Sequence, residues 1–320
     1  MKIVVLDGFT LNPGDNPWDA VGRHGELTVH DRTPDELVLE RCAGAEIVLT
    51  NKTKLSAQTL AALPQLRLIC VLATGYNVVD VEKAAQLGIP VCNVPEYGSD
   101  SVAQHATALL LELTNMVGCY DQAVKRGDWS RSRDFTFVAD PLTELAGKVM
   151  GIVGLGHIGA RVARIAHALG MEIVAYNPTH RVAPEGLPVE WLSLDELFRR
   201  ADVISLHCPL TTQNQGLVNR ERLALMKPHS FIINTSRGGL VNEQDLADAL
   251  NSGALAGAAV DVAAHEPIPS DSPLITAKNC LITPHIAWAT LAARRRLMAT
   301  TAENIAAFLA GKPQNVVNAV

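Results

Sequence analysis

The chain has 320 residues, 48% of them hydrophobic, and a formal net charge of −6. This length is typical of about two domains, and the negative balance excludes the basic surface that binding to nucleic acid or an anionic membrane requires. No stretch reaches the roughly 18 uninterrupted apolar residues of a membrane span, and no signal peptide is evident. The 6 cysteines form no C-x-x-C pair, so no metal site is expected. The chain is predicted to be cytoplasmic.

Strands and helices alternate through the first part of the chain. Short apolar runs predict strands at Lys2–Leu6, Glu46–Leu49, Leu68–Leu72 and Pro90–Val94, and helical spacing predicts helices at Pro34–Cys42, Ser56–Leu63 and Asp80–Leu87. Such alternation predicts a parallel sheet with helices on both faces. Because this region lacks a glycine turn for phosphate, it is predicted to be the substrate-binding domain.

Two strand ends in this region carry polar residues. Lys52 follows the strand at Glu46–Leu49, and Thr74 and Gly75 follow the strand at Leu68–Leu72. Ligands of open parallel sheets bind at the carboxyl ends of strands. The N–H groups of Thr74 and Gly75 could hold a carboxylate, and Lys52 would add positive charge. A plain turn and a solvated lysine are the alternatives.

A long helix is predicted at Ser99–Arg126. Its apolar residues cover more than one side, which is more than a single buried stripe requires. This pattern predicts that the helix region packs on a second subunit in a homodimer. A helix buried entirely within a monomer is the alternative.

A glycine-rich turn follows this helix. The order is a strand at Val149–Val153, then Gly154, Gly156 and Gly159 with His157 and Ile158 between them, then a helix and a strand at Glu172–Tyr176. Glycines at this spacing let a turn close tightly, and a pyrophosphate then lies over the helix N-terminus. The pattern predicts a dinucleotide site, with an ordinary tight turn as the alternative.

The choice of cofactor depends on the end of the second strand. An acid is expected there to bind the adenosine ribose, but the residue is Asn177. An asparagine can bind a ribose hydroxyl without repelling a 2′-phosphate, and His180 and Arg181 follow and could attract one. We expect NAD, and NADP stays open.

The remaining elements complete a second parallel sheet. Strands are predicted at Asp202–His207, Ser230–Asn234, Ala256–Val262 and Leu281–Thr283, and helices at Asn242–Leu250 and Ala289–Leu309. The fold class is therefore α/β with two Rossmann-like, doubly wound domains. A flavodoxin-like substrate domain is expected at residues 1–98 plus 288–320, and the dinucleotide-binding domain at residues 99–287.

Three residues that suit hydride transfer to a keto acid follow strands of the second domain. Arg237 could hold a carboxylate and polarise a carbonyl with its planar fork. His285 could protonate the resulting alkoxide, and Glu266 could orient that histidine. Taken singly, each has an alternative reading as a loop residue, a solvated turn residue or a histidine bound to a backbone carbonyl.

Four motifs taken together resemble the D-isomer-specific 2-hydroxyacid dehydrogenase family. They are GLGHIG, TSRGGL, AAVDVAAHEP and PHIAWAT, and the resemblance covers almost the whole chain. It implies that Arg237, Glu266 and His285 are the catalytic set. It also implies that Thr74 and Gly75 form the carboxylate-binding turn.

The resemblance further implies cofactor contacts. Asp261 would contact the nicotinamide carboxamide or its ribose, and Thr235, Cys208 and Pro209 would line the cofactor with backbone atoms. NKTKL, LATGYNVVD and SVAQHA look most like the glycerate dehydrogenase (hydroxypyruvate reductase) branch. Trp288 is expected to line the substrate pocket or to fill the core.

The expected activity is therefore reduction of a small 2-keto acid by NAD(P)H to a D-2-hydroxy acid. Hydroxypyruvate and D-glycerate are the expected pair, with glyoxylate or another D-2-hydroxyacid as the alternative. A non-catalytic NAD-sensing protein is a weaker alternative. A Rossmann methyltransferase is also weaker, because it leaves Arg237, Glu266 and His285 unexplained.

Overall fold

The computed structural model describes residues 1–179 and 181–319. The chain divides into two compact units. Unit 1 comprises Met1–Gly98 and the segment that begins at Trp288, and unit 2 comprises Ser99–Ala287. The prediction for His180 lies outside the described residues.

The described residues form short strands and helices in regular alternation. The strands are β1 (Lys2–Val5), β2 (Glu26–Val29), β3 (Ile47–Thr50), β4 (Leu68–Val71), β5 (Val91–Cys92), β6 (Val149–Val153), β7 (Glu172–Tyr176), β8 (Glu190–Trp191), β9 (Val203–Leu206), β10 (Phe231–Asn234), β11 (Gly257–Val260) and β12 (Cys280–Ile282). The helices are α1 (Asp19–Gly22), α2 (Val38–Cys42), α3 (Ala57–Ala61), α4 (Val81–Gln86), α5 (Ser99–Asn115), α6 (Val117–Lys125), α7 (His157–Ala168), α8 (Leu194–Arg200), α9 (Arg220–Leu223), α10 (Glu243–Ser252) and α11 (Leu291–Leu309).

The sheet of unit 1 has the strand order β2-β1-β3-β4-β5, with all pairs parallel. This is the flavodoxin-like order, in which the chain direction across the sheet switches between β1 and β3. Successive residues of β4 enter opposite cores. Ile69 and Val71 pack on one face of the sheet, and Leu68 and Cys70 pack with α11 on the other. Both faces are therefore covered, as the apolar runs predicted.

The sheet of unit 2 has the order β12-β11-β10-β9-β6-β7-β8, again parallel throughout. Its switch point lies between β6 and β9, so ligands are expected at the carboxyl ends of these two strands. The prediction of two doubly wound α/β domains is confirmed. The edge strands β2 and β8 were missed because their side chains are only partly buried and the apolar signal is weak.

The prediction of one helix at Ser99–Arg126 is wrong. α5 ends at Asn115, Met116 adopts a left-handed conformation with φ +49°, and α6 begins at Val117. The Glu112 carboxylate accepts a hydrogen bond from the N–H of Gly118 at 3.1 Å. The break therefore has a local partner, which compensates for the cost of the left-handed residue.

Two kinds of site are absent from the described residues. None of their helices is both long and apolar enough to span a bilayer. No group of three or more His, Cys, Asp or Glu side chains within residues 1–179 and 181–319 could hold a metal ion.

Candidate active site

A tight turn joins β6 to α7 at the carboxyl edge of the sheet of unit 2. Gly154 has φ +99°, and a Cβ there would lie 2.6 Å from the backbone nitrogen of Cys208. A Cβ at Gly159 would overlap the carbonyl oxygen of Gly154, whereas the Cβ position of Gly156 has nothing within 4 Å. Two glycines therefore let the turn close, and the third leaves open space at the start of α7.

The open space fits the pyrophosphate of a dinucleotide. The first N–H groups of a helix have no intrahelical partner, and the helix dipole favours an anion there. His157 and Ile158 begin α7, which is 12 residues long. After β10, the buried hydroxyl oxygen of Thr235 has no hydrogen-bond partner among the described residues. Buried polar atoms are normally paired, so this edge of the sheet fits a polar ligand.

Asn177 holds the glycine turn from the end of β7. Its Oδ1 accepts a hydrogen bond from the N–H of Leu155, between Gly154 and Gly156, at 2.8 Å. An asparagine at this position therefore supports the turn without placing a negative charge beside it. Arg181, which follows in the chain, is exposed.

The end of β9 lies across the switch point from the glycine turn. The carbonyl oxygen of Cys208 accepts a hydrogen bond from Ser236 Oγ at 2.6 Å, and the carbonyl of Pro209 accepts one from Asn214 at 2.7 Å. Burial lowers the pKa of His207 to about 4, so its ring is neutral at pH 7, and its Nε2 lies 2.8 Å from Ser205 Oγ. This edge therefore carries no added positive charge from His207.

Arg237 follows β10 in an extended conformation. Its Nη1 donates to the carbonyl of Ser236 at 2.8 Å, and its own carbonyl accepts from Asn234 Nδ2 at 2.9 Å. A Cβ at the next residue, Gly238, would overlap the backbone of Ala263. Only glycine fits here, so the loop that carries Arg237 packs directly on the chain leading to Glu266.

Glu266 and His285 form a hydrogen-bonded pair in the loops that follow β11 and β12. His285 Nδ1 lies 2.7 Å from Glu266 Oε2, and the two side chains are 29% and 36% exposed. Glu266 Oε1 accepts a hydrogen bond from the N–H of Ala263 at 3.1 Å. The carboxylate therefore fixes the imidazole ring while the pair stays open to solvent.

Asp261 anchors the chain around His285. Its carboxylate accepts hydrogen bonds from Thr283 Oγ1 at 2.6 Å and from the N–H groups of Ile286 and Ala287, both at 2.9 Å. Burial by itself would raise the pKa of this carboxyl, but the hydrogen bonds from His105, Thr283 and the two N–H groups lower it below its usual value. Asp261 is thus a buried anion that holds His285 at its positive φ of +54°.

Comparison with known proteins identifies the family. The sequence model of the D-isomer specific 2-hydroxyacid dehydrogenase NAD binding domain matches residues 107–287. The chain belongs to this family. The protein is therefore an oxidoreductase. The matched region, which is the NAD-binding domain of the family, lies within unit 2.

The sequence similarity to related proteins covers almost the whole length of the dehydrogenase. Hydroxypyruvate reductase of Blautia hydrogenotrophica is 50% identical over 99% of this chain and 100% of the relative. Glycerate dehydrogenase of Methylorubrum extorquens is 41% identical over 99% of each chain. The NADPH-dependent glyoxylate/hydroxypyruvate reductase of Sinorhizobium meliloti, solved with NADP and malonate, is 28% identical with a TM-score of 0.84 over 99% of this chain and 96% of that one.

Unit 1 of the dehydrogenase presents two polar loops at its carboxyl edge. Thr74 follows β4, and its Oγ1 donates to the carbonyl of Val94 at 2.9 Å. Its carbonyl accepts a hydrogen bond from Asn93 Nδ2 at 2.7 Å. Gly75 follows Thr74 outside any helix or strand and is half-buried. The side chain and the carbonyl of Thr74 therefore hold this turn, and the N–H groups of Thr74 and Gly75 are not part of these hydrogen bonds.

Lys52 and Trp288 also belong to unit 1. Lys52 follows β3 and is exposed, and its N–H donates to Asp7 Oδ2 at 2.6 Å. Trp288 packs edge-on against Tyr97, with ring centroids 6.2 Å apart. It is only partly buried against the core of unit 1. The ring therefore contributes to this core, and its contact with substrate stays a prediction.

Three residues around these strand ends were missed from the sequence. Asp7 had a usable signal, because an acid directly after the first strand of a parallel sheet lies at the ligand-binding edge. His105 and His207 had none. His105 comes close to Asp261 only through the packing of α5, and the shifted pKa of His207 results from burial.

Proposed function

We propose that this dehydrogenase reduces hydroxypyruvate to D-glycerate. The observation that carries the proposal is the His285–Glu266 pair, with 2.7 Å between Nδ1 and Oε2, at the carboxyl edge of the sheet of unit 2. A histidine held by a carboxylate suits proton transfer near neutral pH. The 50% identical relative named hydroxypyruvate reductase supports the choice of substrate.

The catalytic roles follow from the chemistry of each side chain. The Arg237 guanidinium would bind the substrate carboxylate and polarise the keto oxygen, since its donors form a planar fork. Glu266 would fix the His285 ring through Nδ1, and the opposite ring nitrogen, Nε2, would give its proton to the alkoxide. Asp261 would keep His285 in place through Ile286 and Ala287.

The cofactor would be held by the glycine turn of unit 2. The N–H groups at the start of α7 would bind its pyrophosphate, and Thr235, Cys208, Pro209 and Asp261 would lie along it. When bound, the reduced nicotinamide supplies the hydride. We propose NADH as the main cofactor, with NADPH also accepted, because Asn177 carries no charge that would repel a 2′-phosphate.

The remaining substrate contacts are proposed for unit 1. The N–H groups of Thr74 and Gly75 would bind the carboxylate, and Lys52 and Trp288 would contact the rest of a small 2-keto acid. Glyoxylate is the second candidate substrate, since the Sinorhizobium meliloti relative is named for both acids.

Steady-state oxidation of NADH and of NADPH tests the proposal. The absorbance of each is followed with hydroxypyruvate, glyoxylate, pyruvate and phosphohydroxypyruvate at neutral pH. We expect the highest kcat/KM with hydroxypyruvate, and chiral analysis of the product should give D-glycerate. A higher kcat/KM with another acid would overturn the substrate, and L-glycerate would overturn the roles given to His285 and Arg237.

We also propose that the protein is a homodimer through the region of α5 and α6. A groove of about 640 Å³ lies between α5 and α7, and its lining combines Leu111 and Ile165 with the charged residues Asp100, Arg161 and Arg164. Beyond α6, Phe135 is 90% exposed and Val138 is 63% exposed. Isolated apolar residues are common on surfaces, but exposed apolar side chains close together in one segment are typical of an interface.

The oligomeric state can be measured by light scattering after size-exclusion chromatography. We expect a dimer that Phe135→Glu with Val138→Glu converts to a monomer, because charges would be buried at the interface. Leu39→Glu, at a residue 45% exposed in unit 1, is the matched control and should remain dimeric. A wild-type monomer would contradict the proposal.

A further inference from the structure

The loop after β3 is organised by one acidic residue. Asp7 follows β1, and its carboxylate accepts hydrogen bonds from the N–H groups of Asn51, Lys52 and Thr53 at 2.7, 2.6 and 2.7 Å. Thr53 Oγ1 adds a fourth at 3.1 Å. Three consecutive N–H groups on one carboxylate are typical of an anion-binding turn, but here the anion belongs to the protein.

The same turn is fixed from its other side. Thr50 Oγ1 donates to the carbonyl of Thr53 at 2.7 Å, and Asn51 Nδ2 donates to Thr10 Oγ1 at 3.1 Å. Asn51 and Thr53 are buried, whereas Lys52 between them is exposed. The hydrogen bonds therefore present a single side chain, Lys52, on a rigid base.

This base adjoins the predicted carboxylate turn. β3 and β4 are paired neighbours, with Thr50 opposite Val71, so Lys52 and Thr74 follow adjacent strands. Adjacent strands lie about 4.8 Å apart, which is on the order of the length of a three-carbon acid. A substrate whose carboxylate lies at Thr74 would thus place its far end beside Lys52.

We propose that Asp7 is a positioning residue for substrate specificity. It holds the turn so that the Lys52 ammonium donates a hydrogen bond to the C3 hydroxyl of hydroxypyruvate. An ammonium group can only donate hydrogen bonds, so it favours hydroxypyruvate, which has an oxygen on C3, over glyoxylate, which has no C3. This inference rests on the proposed function, since it assigns one end of the same substrate.

Measurements of KM with two acids test the inference. Lys52→Met and Asp7→Asn should each raise KM for hydroxypyruvate about tenfold more than KM for glyoxylate, which has no C3. Their kcat values should change little, because neither residue touches the reacting atoms. Asp80→Asn is the matched control, since the Asp80 carboxylate also accepts a hydrogen bond from a backbone N–H of unit 1, that of Lys83 in the first turn of α4. It should leave both KM values unchanged.

A double variant separates positioning from general stability. If Asp7 acts through Lys52, adding Asp7→Asn to the Lys52→Met variant should cause little further increase in KM for hydroxypyruvate. Equal KM increases for both acids in Lys52→Met would overturn the inference, and so would fully additive effects of the two substitutions. Either result leaves the proposed function intact, whereas slow turnover of hydroxypyruvate by the wild type contradicts the proposed function itself. Lys52 is exposed, so Lys52→Met remains informative if Asp7→Asn does not fold.

Discussion

The two sheets are wound alike but use the N–H groups at their switch points differently. In unit 2 the turn from Gly154 to Gly156 leaves open space above the first N–H groups of α7. At the switch point of unit 1, between β1 and β3, the carboxylate of Asp7 accepts hydrogen bonds from the N–H groups of Asn51, Lys52 and Thr53. At its switch point, unit 2 leaves backbone donors for a ligand, whereas unit 1 uses those of residues 51–53 internally.

This difference explains how one topology can serve two tasks. Backbone donors suit a phosphate, because every dinucleotide presents the same pyrophosphate. Side chains suit a variable substrate, because one substitution alters the contact while the backbone stays in place. We therefore expect substitutions at the strand ends of unit 2 to change kcat or cofactor affinity, and those in unit 1 to change KM for the acid.

The largest effect is expected for His285→Ala. Loss of the proton donor should lower kcat about a thousandfold, while the affinity for NADH, measured by fluorescence titration, stays close to that of the wild type. His167→Ala, at an exposed histidine of α7, should keep its activity. If His285→Ala turned over at the wild-type rate, the chemistry would not reside in unit 2.

Arg237→Lys should lower kcat/KM about a hundredfold, because a lysine cannot make the bidentate contact of a guanidinium. The comparison with Lys52→Met is informative. The unit 2 substitution should lower kcat, whereas the unit 1 substitution should mainly raise KM. Steady-state kinetics with hydroxypyruvate would measure the change in kcat and the change in KM. An effect of Arg237→Lys on KM alone would contradict the expected difference between the units.

The switch point of unit 2 should also make stability depend on pH. His207 has a pKa of about 4 in the folded chain and 6.5 ordinarily. Between these values the unfolded chain binds a proton that the folded chain does not, so the free energy of unfolding falls as pH decreases from 6.5. The loss is about 2 kcal/mol at pH 5, and this contribution is constant above pH 6.5. Urea unfolding should show a smaller loss in His207→Gln; an equal loss would contradict the assignment.

Paired glycine substitutions compare the two turns directly. Gly154→Ala places a Cβ 2.6 Å from the backbone of Cys208 and forces φ +99° on an alanine, so NADH affinity should fall about twentyfold. Gly8→Ala, beside Asp7, meets the side chains of Val29, Trp18 and Val5 rather than backbone, and these lie in unit 1. It should leave the dissociation constant for NADH unchanged. Equal losses of affinity would show that the first turn is not specialised for the cofactor.

The smallest effect is expected for Asn177→Asp. The aspartate can still accept the hydrogen bond from Leu155, but its charge should raise KM for NADPH about tenfold relative to KM for NADH. Asn219→Asp, at the start of α9, is the control. An unchanged ratio of the two KM values would place the 2′-position of the ribose away from Asn177.

Much of the fold could be predicted because parallel strands buried on both faces leave continuous apolar runs. The same logic predicted which residues follow the strands, and the structure brings Glu266 and His285 to 2.7 Å. Their catalytic roles, and those of Arg237, stay predictions. Contacts between distant segments left no such pattern. Asp7 bonds residues 44 to 46 positions away, and no local spacing reveals such a pair.

The break at Met116 shows a second limit. The apolar residues continue through it, so periodicity predicted one helix. The left-handed residue depends instead on the Glu112 side chain and on Gly118. Helix ends are decided by such local hydrogen bonds, whose energy is small compared with the burial that produces the pattern.

The hydrogen bonds of Asp261 have a consequence for motion within unit 2. Amide protons in loops usually exchange with deuterium quickly, because brief local openings expose them. The N–H groups of Ile286 and Ala287 lie in such a loop but are bound by a buried carboxylate at the end of β11. Their exchange should be nearly as slow as that of the central strands. The segment that carries His285 would then open only when the sheet itself opens.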